Sequence, residues 1–176
     1  MKAVYTQNNN SVGWLSIDDT PIDFPIVQYK DNARYLNAYN FYDKGARYGS
    51  PFMDFRCNPT ALSKNTVIYA HHMNNKLFFG SLDKYENPDF YKNHPYINFQ
   101  TLSGNCTFKV YAAFYATTET NVDAGFVFDY YNPNMKNENF KGYIELLNQY
   151  AIYTTDAGLD SSDKIITLLL NWQMRF

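Results

Sequence analysis

A mostly β domain, folded as a barrel or sandwich with a few inserted helices, is what this sequence predicts. Three observations carry that reading. Short segments rich in Val, Ile, Thr, Tyr and Phe recur between turn signals. Helical periodicity is confined to a few short stretches. Aromatic residues reach 19%, with 17 Tyr and 14 Phe, and these types suit a pleated, half-buried surface. A chain of 176 residues fits one domain, with no repeat period. At this size a chain buries roughly 70% of its unfolded surface and needs no metal or disulfide staple.

The elements follow in order. Residues 1–11 are polar and Asn-rich, and read as a loose N-terminal segment or the remnant of a longer helix; residues 12–176 form the domain. Val12–Ile17 and Ile22–Gln28 read as a hairpin around Asp18-Asp19-Thr20-Pro21, with Pro25 demoting the second strand to an edge or a bulge. Ser50–Phe55 is a short strand, and Thr66–His71 a buried one. Phe78, Leu82 and Tyr85 place a short helix over Lys76–Tyr85. Asn87-Pro88-Asp89 caps a second, with Pro at its first position. Tyr96–Leu102, a turn at Ser103-Gly104-Asn105 and a long strand over Cys106–Thr117 form the clearest hairpin. Asn121–Asn137 is irregular, Glu138–Tyr150 helical, Asp160–Asp163 a turn and Lys164–Leu170 a buried strand.

Composition excludes several function classes. A net charge of -2 gives no general basic surface, so nucleic acid is not an expected partner. No run of about 18 apolar residues is present to span a membrane. Met1–Asn10 is polar and shows no signal peptide; an exported or anchored protein would carry that segment upstream. Cys57 and Cys106 admit one bridge but no disulfide-dense scaffold, and they leave the redox compartment open. There is no zinc spacing, calcium loop or Gly-rich phosphate loop.

His71 is the first candidate for chemistry. It ends the apolar run Val67-Ile68-Tyr69-Ala70 and precedes a polar loop, where a titratable ring serves a cleft or merely forms a hydrogen bond. His72 follows it directly, and successive strand side chains point to opposite faces, so the pair makes a poor metal clamp. His94, before Pro95, reads as structural.

Several segments in order resemble the class B sortases, cell-wall cysteine transpeptidases of Gram-positive bacteria. Val12-Gly13-Trp14-Leu15-Ser16-Ile17 with Ile22-Asp23-Phe24-Pro25-Ile26-Val27-Gln28 is similar to the family's opening hairpin. Asp31-Asn32 with Tyr35-Leu36-Asn37, then Gly49-Ser50-Pro51-Phe52-Met53-Asp54-Phe55-Arg56, continue the pattern. Asn65-Thr66-Val67-Ile68-Tyr69-Ala70-His71-His72-Met73 resembles the strand that carries the catalytic His. The likeness runs from about Val12 to Leu168.

The resemblance implies an eight-stranded sortase β-barrel with an N-terminal helix and a few inserted helices. It implies a Cys nucleophile that attacks the carbonyl of a C-terminal sorting signal, a His for proton transfer, and an Arg for the oxyanion. An amine on a cell-wall precursor or a pilin then resolves the thioacyl enzyme. No metal or organic cofactor is required. The implied location is the outer face of the bacterial membrane, with the anchor outside this chain.

His71 matches the family His. Asp163-Lys164-Ile165-Ile166-Thr167-Leu168 matches the approach to the nucleophile, which the family writes Thr-Leu-Ser-Thr-Cys; here Leu169, Leu170 and Asn171 follow, so Asn171 occupies the Cys position. An amide cannot form the thioacyl intermediate. Arg175 resembles the family's Arg at a shorter spacing than usual; on one strand it would lie about 13 Å from Asn171. The chain ends at Phe176, where the family adds a final strand, so that strand is expected to be altered or missing. Cys106 is expected to be a strand residue and Cys57 a loop residue, neither of them the nucleophile. The alternatives are a non-catalytic relative that binds sorting peptides, a truncated remnant with an exposed sheet edge, and a Tyr-rich glycan-binding domain.

Overall fold

A computed structural model describes residues 1–115 and 132–171, with only the backbone of Asn171. The described strands are β1 (Ser11–Ser16), β2 (Asp23–Val27), β3 (Phe52–Met53), β4 (Asn65–His71), β5 (Tyr96–Thr101), β6 (Asn105–Lys109), β7 (Ala112–Phe114), β8 (Ala151–Thr154) and β9 (Ile165–Asn171). The helices are α1 (Lys2–Gln7), α2 (Ala33–Asn37), a 3-10 helix (Phe79–Glu86), α3 (Pro88–Asn93) and α4 (Asn137–Tyr150). Seven strands form one barrel-like sheet in the order β6-β5-β1-β2-β3-β4-β9, and β7 pairs with β8 apart from it. The expected mostly β fold with few helices is what the chain adopts. Among the described residues β9 has a strand neighbour on one side, β4.

Strand β4 shows why the sheet holds together. Its β-branched run Thr66-Val67-Ile68 suits a pleat, and nearly every residue is buried. It lies between β3, antiparallel, and β9, parallel, so both its edges are paired; its residues are buried on both faces as well, and its sequence does not alternate. Leu15, Ile26, Val67, Ile68, Phe79 and Phe99 pack inside the sheet with little or no exposure. Burying each such side chain contributes about 1.5–3 kcal/mol before chain entropy is set against it.

Pro25 lies opposite Trp14 of β1, and its other side has no strand partner among the described residues, so its position is locally that of an edge although β2 is flanked by β1 and β3. Antiparallel ladders alternate, and Ile17 N donates to the Ile22 carbonyl at 2.9 Å, which puts Trp14 and Pro25 in a non-hydrogen-bonded pair. The missing N–H therefore faces away from β1, and β3 pairs with β2 only at Val27.

The long strand expected over Cys106–Thr117 divides within the described residues. β6 pairs with β5 as far as Lys109, opposite Tyr96. Pro95 ends that partner, and Val110 N takes its carbonyl at 2.9 Å. Thr155 N then donates to the Tyr111 carbonyl, and β7 turns to β8, a strand the sequence reading lacked. The helix expected over Lys76–Tyr85 is a 3-10 helix that starts later, because Lys76 (φ 64°) and Phe78 (φ 49°) are turn residues. Asn87 caps α3 as expected, its Oδ1 accepting from Asp89 N at 2.9 Å. At the N-terminus, Lys2–Gln7 is helical, and Asn8 is buried with its amide donating to the Phe41 carbonyl at 2.6 Å.

Candidate active site

β4 and β9 run parallel and in register, from Asn65 opposite Ile165 to His71 opposite Asn171. Two contacts fix that register at its start. Ile165 N donates to the Lys64 carbonyl at 2.9 Å, and the buried Thr167 hydroxyl donates to Asn65 Oδ1 at 2.7 Å. The two residues singled out at the ends of these strands are thus cross-strand neighbours. Arg175 lies outside the described residues.

His71 is 5% exposed, and its Nε2 is buried without a hydrogen-bond partner among the described residues. The ring of Tyr48 meets it edge-on, centroids 5.7 Å apart at 70°. Burial pushes the His71 imidazole below the ordinary histidine range, so the neutral form, able to accept a proton, is favoured. His72 turns elsewhere: its Nε2 lies 2.7 Å from Asp83 Oδ2, which Lys76 also reaches at 3.0 Å. The two histidines therefore do not converge on a common ligand. His94 is structural, stacked on Phe90 with Nδ1 3.0 Å from the Phe90 carbonyl.

A polar network holds the strand leading to His71. Tyr69 stacks on Phe52, and its hydroxyl donates to Asp54 Oδ2 at 3.1 Å. Asp54 is fully buried and also accepts from Arg56 Nε at 2.8 Å, Arg56 N at 2.9 Å and Asn32 Nδ2 at 3.1 Å. Burial alone would raise its pKa, but the Arg56 and Asn32 donors hold the carboxyl below the usual range. Burial and the neighbouring Asp54 push the Tyr69 hydroxyl up, so it stays a donor. Asn32, Asp54 and Tyr69 come from three separate segments of the sequence. Only the fold brings them together.

A groove of about 890 Å³ runs past this end of the sheet. Asn32, Leu36, Phe52, Tyr69, Leu168 and Leu170 are among its walls. His71 itself is not, but Tyr69, two residues upstream, is. Its walls are mainly apolar.

The two thiols lie elsewhere, and both are free. Cys57 is buried, accepts from Val67 N at 3.3 Å, and sits 3.7 Å from the Asn65 carbonyl it donates to. Burial pushes its thiol up, away from the thiolate. Cys106 is on β6, opposite Phe99, and packs against the apolar interior; β6 and the His71 strand β4 are separated in the sheet by β5, β1, β2 and β3.

The comparisons with known proteins fit this geometry. No family model matches the chain. Sortase B of Listeria monocytogenes is 36% identical over 162 residues, 92% of this chain; the chain spans 62% of that protein's length. A solved sortase B from Listeria monocytogenes is 34% identical with a TM-score of 0.82, covering 95% of this chain and 91% of that one. A Staphylococcus aureus sortase B–substrate complex is 28% identical with a TM-score of 0.85, covering 95% of this chain and 74% of that one. The barrel-like sheet and its parallel β4–β9 pair define a sortase-type domain, and the chain belongs to the class B sortase family.

Proposed function

We propose that residues 12–176 form a sortase domain that recognises a C-terminal sorting peptide through the groove beside β4 and β9. His71 is the acid–base residue, and position 171 is that of the nucleophile. The observation that carries this is the register that sets Asn171 opposite His71. The solved Staphylococcus aureus relative, bound to substrate, supports peptide recognition by the shared fold.

In a cysteine transpeptidase the thiolate attacks the scissile carbonyl, the His protonates the leaving amine, and an acceptor amine releases the acyl group. The resemblance assigns the acceptor to a cell-wall precursor or a pilin, the oxyanion role to Arg175, and the setting to the outer face of the membrane. An Asn at position 171 has no thiolate, so this chain binds peptide and does not turn it over.

Incubation of this chain with sorting-type pentapeptides, read by mass spectrometry, tests the reading. The expected result is saturable binding without cleavage. Cleavage lost on thiol blocking would make Cys57 or Cys106 the nucleophile and overturn it. Absence of binding would reduce the chain to a remnant of the scaffold.

A further inference from the structure

We propose that Tyr48 is a positioning residue for His71, its ring forming the wall that fixes the orientation of the imidazole and keeps water from it. The proposal rests on the reading of His71 as the acid–base residue of the site.

The loop bearing Tyr48 is tied to α2 on both sides. Ala46 N donates to the Ala38 carbonyl at 2.9 Å, and Ser50 N donates to the Tyr35 carbonyl at 2.9 Å. Between them Gly49 has φ 58°, and a Cβ there would collide with the Tyr35 carbonyl oxygen. Glycine permits both the left-handed backbone and this close approach to α2. Tyr48 is therefore carried by a braced turn, far in sequence from β4.

The ring meets His71 edge to face, a geometry aromatic pairs favour. The Arg47 guanidinium lies 5.5 Å from the Tyr48 ring centroid. Among the described residues, the neighbouring side chains on its own strand are engaged elsewhere, Tyr69 with Asp54 and His72 with Asp83. From β9 its backbone neighbour is Asn171, uncharged. Burial is the cause that lowers the His71 pKa. Nε2, buried and unpartnered among the described residues, is the atom whose direction the wall sets. An imidazole held in one orientation can take up a proton as the neutral base and then, as the imidazolium, pass it to a leaving amine.

The test is an NMR titration of the histidine rings in the full chain, with Tyr48→Phe and Tyr48→Ala variants. Nuclear Overhauser contacts between the Tyr48 ring and the His71 ring are expected in the unaltered chain. Tyr48→Phe keeps the His71 midpoint. Tyr48→Ala shifts it upward, towards the ordinary value, and averages the ring signals. An unshifted midpoint in a folded Tyr48→Ala chain overturns the proposal. So does absence of the ring contacts in the unaltered chain, which holds even if the Ala variant does not fold. An Asn171→Cys chain provides the separate control: cleavage by it that His71→Ala leaves intact removes the reading of His71 but leaves the titration result standing.

Discussion

Asp54 and His71 illustrate how single residues set the properties of this site. Asp54→Ala would remove the acceptor that Arg56, Asn32 and Tyr69 share and leave the Asn32 and Tyr69 donors without it. Unsatisfied buried donors cost about 1–3 kcal/mol, so a stability loss of about 3 kcal/mol in urea unfolding is expected. A loss under about 1 kcal/mol would show that water replaces the carboxylate. For His71 the linkage has a definite sign. Its folded pKa lies below its unfolded value of about 6.5, so its contribution is complete above that value and is lost as pH falls through the folded pKa. Asp54 and Asp83, held below the usual carboxylate range, lose their contributions at lower pH. Urea unfolding at about pH 7.5 and about pH 5 should therefore show a smaller acid loss for His71→Gln than for the unaltered chain. Equal losses would place the effect on other groups.

At the scale of elements, the pairing of β4 with β9 is the feature on which the site depends. The Thr167 hydroxyl on Asn65 is the buried polar contact between them. Thr167→Val keeps the shape and removes that hydrogen bond, so a loss of about 1 kcal/mol is expected. Amide exchange should rise selectively along β9, and uniform exchange would contradict the pairing as the local weak point. Much of this level was legible in the sequence. The β1–β2 and β5–β6 hairpins, the Asn87 cap and α4 follow from turn residues and periodicity alone. The division of β6 from β7 did not, because a strand's own residues do not say where its partner stops. The same holds for β8, which Thr155 and Tyr111 define only through tertiary hydrogen bonds. At the site, His71 stood out as a titratable ring at the end of an apolar strand and the family resemblance gave it a role; Asn171 was found through the resemblance alone, and the register set the two side by side. Tyr48 carried no local signal, since its meeting with His71 depends on how α2 holds a distant loop.

For the whole molecule, the sheet order brings the strand that ends in His71 next to the strand that reaches Asn171, with a groove of about 890 Å³ bordered by both strands. The central claim is that the fold keeps a transpeptidase site in which position 171 has an amide where the chemistry needs a thiolate. Intact-mass spectrometry of Asn171→Cys with a sorting-type pentapeptide tests it most directly. The account predicts an acyl adduct on Asn171→Cys that hydroxylamine releases, and none on the unaltered chain. An adduct on the unaltered chain, blocked by prior alkylation of Cys57 or Cys106, would contradict it.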